Sequence, residues 1–100
     1  MAKKAVKPKR PANTRDFFER GKAVFIRTVT HYYVGRVVQA SECEIILEDA
    51  AWVADTGRFA AALRAANFSE VEPYESQVLI NRGAIVDATE WSGKLPAELK

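Results

Sequence analysis

Between Ala23 and Glu48 the chain carries three short alternating runs joined by connections of only a few residues. Val24, Ile26 and Thr28 alternate with Phe25, Arg27 and Val29, which predicts a strand with one buried face. Thr30-His31-Tyr32 predicts a turn, and Tyr32 to Val38 a second strand. Ala40-Ser41-Glu42 turns the chain again into a third strand over Glu44 to Glu48. Antiparallel strands so closely spaced form a meander. Gly35 inside the second strand predicts a bulge or sharp bend, and a strongly bent meander is how a small barrel begins.

The flanking sequence fills out one domain. Asn13-Thr14 precedes Arg15 to Arg20 and Gly21, predicting a short capped helix with Phe17 and Phe18 to bury. Past Leu47, the segment Asp49 to Ala54 is expected to leave the sheet. Asp55-Thr56 then caps a helix from about Gly57 to Ala66, with Phe59, Leu63 and Ala66 as its apolar stripe. Asn67 suits the left-handed position after the helix, with Phe68 as its apolar contact. Residues 69–76 are acidic, contain Pro73 and read as loop. Gln77 to Ile80 and Ala84 to Ala88 read as strands around Asn81-Arg82-Gly83. The expected organisation is a basic tail at 1–12, a barrel at 13–92 with a helical connector at 51–76, and a frayed end at 93–100.

Composition narrows the function classes. One hundred residues with 48% hydrophobic content suit one core, and no run approaches the ~18 apolar residues that span a bilayer. The N-terminus lacks the apolar stretch of a secretory signal, and the single Cys43 excludes an intramolecular disulfide, so a cytoplasmic protein is expected. The formal charge of +2 conceals a partition. Lys3, Lys4, Lys7, Lys9 and Arg10 face no acid in residues 1–10, whereas residues 11–100 hold ten bases against all 13 acids, a balance of −3. The tail is either a solubilising segment or an arm for phosphates, whose affinity would fall steeply with salt.

The layout resembles the Sm/Lsm-like small barrels. Gly35, Val37 and Asp49-Ala50 look like that family's first motif, and Val78 to Val86 around Arg82-Gly83 like its second. The resemblance implies a mainly β fold with helices: an Sm-like (SH3-like) five-stranded bent antiparallel barrel, with a short N-terminal helix and a helical insertion between strands three and four. It further implies a ring of about five to seven copies, closed by edge-to-edge pairing, with RNA or nucleotide as ligand. Ser41 and Glu44 stand where the family has an Asp and an Asn, the loop is one residue short, and the connector is long. The string Leu47 to Phe59 is also similar to small uncharacterised phage proteins, which implies a bacterial host cytoplasm.

On that reading Asn81, Arg82 and Gly83 form a nucleic-acid-binding loop, with Arg82 lining a pore or sitting as a solvated turn residue. Asn81 either bonds a base or stabilises its own turn. His31, Tyr32 and Tyr33 can stack a base or close a hairpin by cross-strand pairing. Trp52 reads as a core or interface anchor beside a helix cap. One His and one Cys at no ligand spacing predict no metal, and no paired carboxylates, phosphate loop or nucleophile set predicts an enzyme or a cofactor. Three functions remain. They are an RNA- or nucleotide-binding ring, a phage assembly ring with no specific nucleic-acid ligand, and a sponge for small nucleotides with Trp52 and Arg58 lining pockets between subunits.

Overall fold

The structure, a computed structural model, describes residues 17–65 and 68–100. The three alternating runs form the expected meander: β1 (Ala23–Thr28), β2 (Tyr32–Ala40) and β3 (Glu44–Asp55). Helix α1 (Phe59–Ala65) leads to β4 (Glu70–Pro73), and β5 (Val78–Asn81) joins β6 (Ile85–Glu90) through one 3-10 turn, Arg82–Ala84. All ladders are antiparallel. The order is β4-β3-β2-β1-β6, with β5 pairing the first half of β3 and β4 its second half. The fold is therefore mainly β, with six strands in an open sheet rather than five in a closed barrel. Among the described residues no ladder joins β6 to β5 or β4; only the 3-10 corner links those two ends of the sheet.

The sheet bends where β2 crosses β3. Both β2–β3 register shifts lie around this point, between Val34 and Arg36 and between Val37 and Gln39. A Cβ on Gly35 would stand 3.0 Å from the Ala50 Cβ, 3.1 Å from its Cα and 3.1 Å from the Leu47 Cδ1. Asp49 takes a left-handed conformation (φ 49°), adding the residue that restarts the ladder. That bulge is why β3 continues to Asp55, where the sequence was expected to leave the sheet. Asp49-Ala50-Ala51 has the composition of a turn, but Trp52 and Val53 resume pairing with Tyr33 and Tyr32.

Alternation along β1 buries both faces rather than one. Val24 and Ile26 join Phe18, Val37, Ile45, Leu47, Ala50 and Ile80 in one core. Phe25 joins Val34, Ala51, Val53, Ala62, Phe68, Val71 and Trp91 in a second. In this second core Phe25 stacks on Tyr32, Phe68 and Trp91 with ring centroids 5.4, 5.8 and 6.0 Å apart. Each such side chain, fully buried, contributes about 1.5–3 kcal/mol.

Covering the second face explains the remaining departures from expectation. The helix turns Ala62 inward and leaves Phe59 half exposed, because Phe59 meets Phe25 only at the rim; Ala66 and Asn67 lie outside the described residues. Residues 70–73, read as loop, pair with β3 because Val71 fills the second core. The C-terminal segment is tied down rather than frayed. Trp91 is buried and its Nε1 donates to the Lys94 carbonyl at 3.2 Å, and the Lys100 and Val71 backbones exchange two 2.8 Å hydrogen bonds. Phe17 to Gly21 is a bend and turn, not a helix. Its backbone is spent on β2, with Gly21 N donating to Val37 O and Val37 N to Lys22 O, while Phe18 drops into the first core. The start of that predicted helix lies outside the described residues.

Replacing Gly35 by Ala sets the gain of a stiffer unfolded chain against a clash with backbone. The clash wins, because the Ala50 Cα cannot swing aside as a side-chain tip can. Gly35→Ala is expected to lose about 1 kcal/mol or more, read as a lower urea midpoint at unchanged slope.

Candidate functional site

Two loops that the resemblance implicated, about Ser41 to Glu44 and Asn81 to Gly83, lie side by side. The β3–β5 ladder places Glu44 opposite Asn81, and Arg82 N donates to the Cys43 carbonyl at 2.8 Å. The Arg82 Nε donates to the Ser41 carbonyl at 2.8 Å, and its guanidinium sits 5.4 Å from the centre of the Phe18 ring. Ser41 shapes its own turn, its Oγ accepting from Cys43 N and Glu44 N at 3.2 Å each. The surface between the loops is a shallow depression of about 380 Å³ with Glu42 and Glu44 on one wall and Arg82 on the other.

Arg82 is thus a half-buried strut between loops. The Asn81 side-chain oxygen accepts from Gly83 N at 2.8 Å and caps the 3-10 turn. The turn-stabilising reading of Asn81 is therefore satisfied in the folded chain. Cys43 is exposed at the rim. Lys3, Lys4, Lys7, Lys9 and Arg10 lie outside the described residues.

The aromatic candidates separate. Tyr32 points into the second core against Phe25, while Tyr33, one residue on, takes the opposite face. There the His31 ring meets Tyr33 and Trp52 with centroids 4.7 and 5.3 Å apart, and Tyr33 lies 6.2 Å from Tyr74 in a stacked arrangement. Trp52 and Tyr74 were missed as partners because their segments were not read as strands. Period two carried on through Ala50, Trp52 and Ala54 is the signal that finds Trp52. Trp52 lies on the face away from α1, so it is not brought together with Arg58, which precedes that helix.

His31 Nδ1 lies 2.8 Å from the Thr30 Oγ1, whereas its Nε2 is buried without a hydrogen-bond partner. Desolvation lowers the imidazole pKa. Burial likewise raises the Tyr74 phenol, followed by the charge of Tyr33 and a hydrogen bond with its hydroxyl. No group of three or more His, Cys, Asp or Glu residues suited to a metal occurs among the described residues, and no helix there is long and apolar enough to cross a membrane. Compared with protein-family profiles, with curated proteins and with solved structures, the chain matches none.

Because the folded state disfavours the His31 imidazolium, the unfolded chain binds the proton more readily. Stability is then complete above the ordinary imidazole value of 6.5 and declines as pH falls through it. Urea unfolding across that window is expected to show the decline in the native chain and a flatter profile in His31→Phe. Asn81→Ala, which removes the cap of the 3-10 turn, is expected to lose about 1 kcal/mol by the same assay.

Proposed function

We propose that the chain is a non-enzymatic, self-assembling Sm-like module that closes into a ring and offers a cationic surface to RNA or nucleotides. The observation that carries this reading is the contrast between the sheet's edges. β4 is blunted three ways: Glu70 and Glu72 carry charge, Pro73 ends the strand, and Lys100 occupies the Val71 backbone. β5 carries no charge and no Pro, and the acids of β6, Asp87 and Glu90, are engaged by Arg27 and Lys22. Among the described residues these two strands pair only with β3 and β1, and they present Leu79 and Val86 at 54% and 56% exposure.

Pairing β5 of one copy with β6 of the next is a heterologous contact, which closes a ring when the rotation allows, here about five to seven copies. The Asn81-Arg82-Gly83 corner joins the two pairing strands, so every junction would gather corners from adjoining copies around a common axis. Residues 1–10 would add five cations per copy. The engagement of Arg82 by Ser41, with Glu42 and Glu44 nearby, favours a second reading, a phage-type assembly ring with no specific nucleic-acid ligand. A small-nucleotide sponge would need Trp52 and Arg58 to meet across subunits.

Light scattering tests the ring. The native chain is expected at a multiple of 11.1 kDa, and Leu79→Lys with Val86→Lys at the single-chain mass; a native single-chain mass would overturn it. Single-stranded RNA binding in a salt series tests the ligand. Replacing Lys3, Lys4, Lys7, Lys9 and Arg10 by Gln is expected to flatten the log–log salt slope by about 3.5, and Arg82→Ala to weaken binding further. Assembly without RNA binding at low salt would leave the assembly reading in its place.

A further inference from the structure

The sheet face bearing Tyr33, Trp52 and Tyr74 belongs to neither function of the edges nor to the loop corner. Strand alternation puts Glu70 and Glu72 on the same face, with Glu72 directly opposite Trp52 in the β3–β4 ladder. Trp52 lies in neither core, and Tyr74 is 37% exposed. Neither Glu70 nor Glu72 has an ion-pair partner among the described residues, where the bases Lys22, Arg27 and Arg36 are paired with Glu90, Asp87, Glu48 and Asp49. Unpaired carboxylates beside aromatic ring faces make a surface for cations, each ammonium or guanidinium finding a carboxylate at one side and a π face at the other. Such a surface repels RNA.

We propose that this face docks the chain's own residues 1–10, in cis. Charge complementarity selects that occupant, because these residues carry five cations and no acid while the body carries the excess of acids. Reach permits it. Sixteen residues precede Phe17 and extend to about 50 Å, well beyond the 15.4 Å radius of gyration. Tethering raises the effective concentration of the segment to about the millimolar range, so binding within one chain outcompetes binding between chains. The docking deepens the proposed function, since it rests on the same five cations there offered to RNA. Docked on Glu70 and Glu72 they are withheld from a polyanion, and a polyanion releases them.

The test reads the Trp52 indole N–H resonance in the full chain without RNA, at low salt, with the Trp91 indole as an internal control for the fold. Gln at Lys3, Lys4, Lys7, Lys9 and Arg10 is expected to shift the Trp52 signal and leave Trp91 in place. Glu70→Gln with Glu72→Gln is expected to shift it too, and to abolish its response to the five replacements. High salt should reproduce the effect, and dilution should not. A Trp52 signal unmoved by the five replacements overturns the proposal, as does a response undiminished in the Glu70→Gln, Glu72→Gln background. A signal that changes on dilution overturns docking in cis. Because no RNA is present, failure here leaves the nucleic-acid reading intact, and failure of RNA binding leaves this one intact.

Discussion

Where β2 crosses β3, a glycine and an alanine meet with no space left for another carbon. The pleat cannot stay flat through such a contact. β3 bulges at Asp49, the ladder resumes one step out of phase, and the strand continues along a changed direction to Asp55. Everything beyond depends on that continuation. The second half of β3 gives β4 its partner, gives Val53 and Val71 to the second core, and carries Trp52 to the face shared with Tyr33 and Tyr74. A side chain at position 35 would push apart the strands that hold both halves of the sheet.

Two cores on one thin sheet leave the central strands with little solvent-facing surface, so polar chemistry is confined to corners and edges. Arg82 illustrates the result. Its guanidinium serves the Ser41 carbonyl and the Phe18 ring, holding the 3-10 corner against the β2–β3 turn. A charge employed as a strut keeps the corner's shape and has less left for a ligand. This shifts the weight of any polyanion binding toward residues 1–10.

The meander was legible because alternation of β-branched and polar residues is a local signal, and β1, β2 and the first half of β3 display it. Gly35 and the pair Asp49-Ala50 were legible as a bend. What the bend would do was not, because a left-handed Asp inside a strand looks in sequence like a strand's end. β4 was invisible for a related reason. Glu, Glu and Pro are poor strand formers, and only Val71 entering the second core together with Lys100 pairing outside recruits the segment. Of the candidate site, Asn81, Arg82 and Gly83 stood out by pattern. Their partner Ser41 lies 41 residues away from Arg82, a distance over which no periodicity speaks. His31 and Tyr33 stood out as aromatics, but their separation from Tyr32 follows from strand parity and their contact with Trp52 from the bulge.

The last strands to be made are also the most portable. β5, the 3-10 turn and β6 form one short angled arm whose partners, β3 and β1, are complete as soon as the meander folds. β6 closes on β1 across more than half of the chain, so loop-closure entropy makes that docking late. Until it happens, the meander exposes two long vacant edges to every other copy in solution. The arm of one molecule fits the edges of another with the same ladders it makes at home, so refolding at high concentration becomes a partition between self-closure and arm exchange, set by dilution rather than by any change in the contacts themselves.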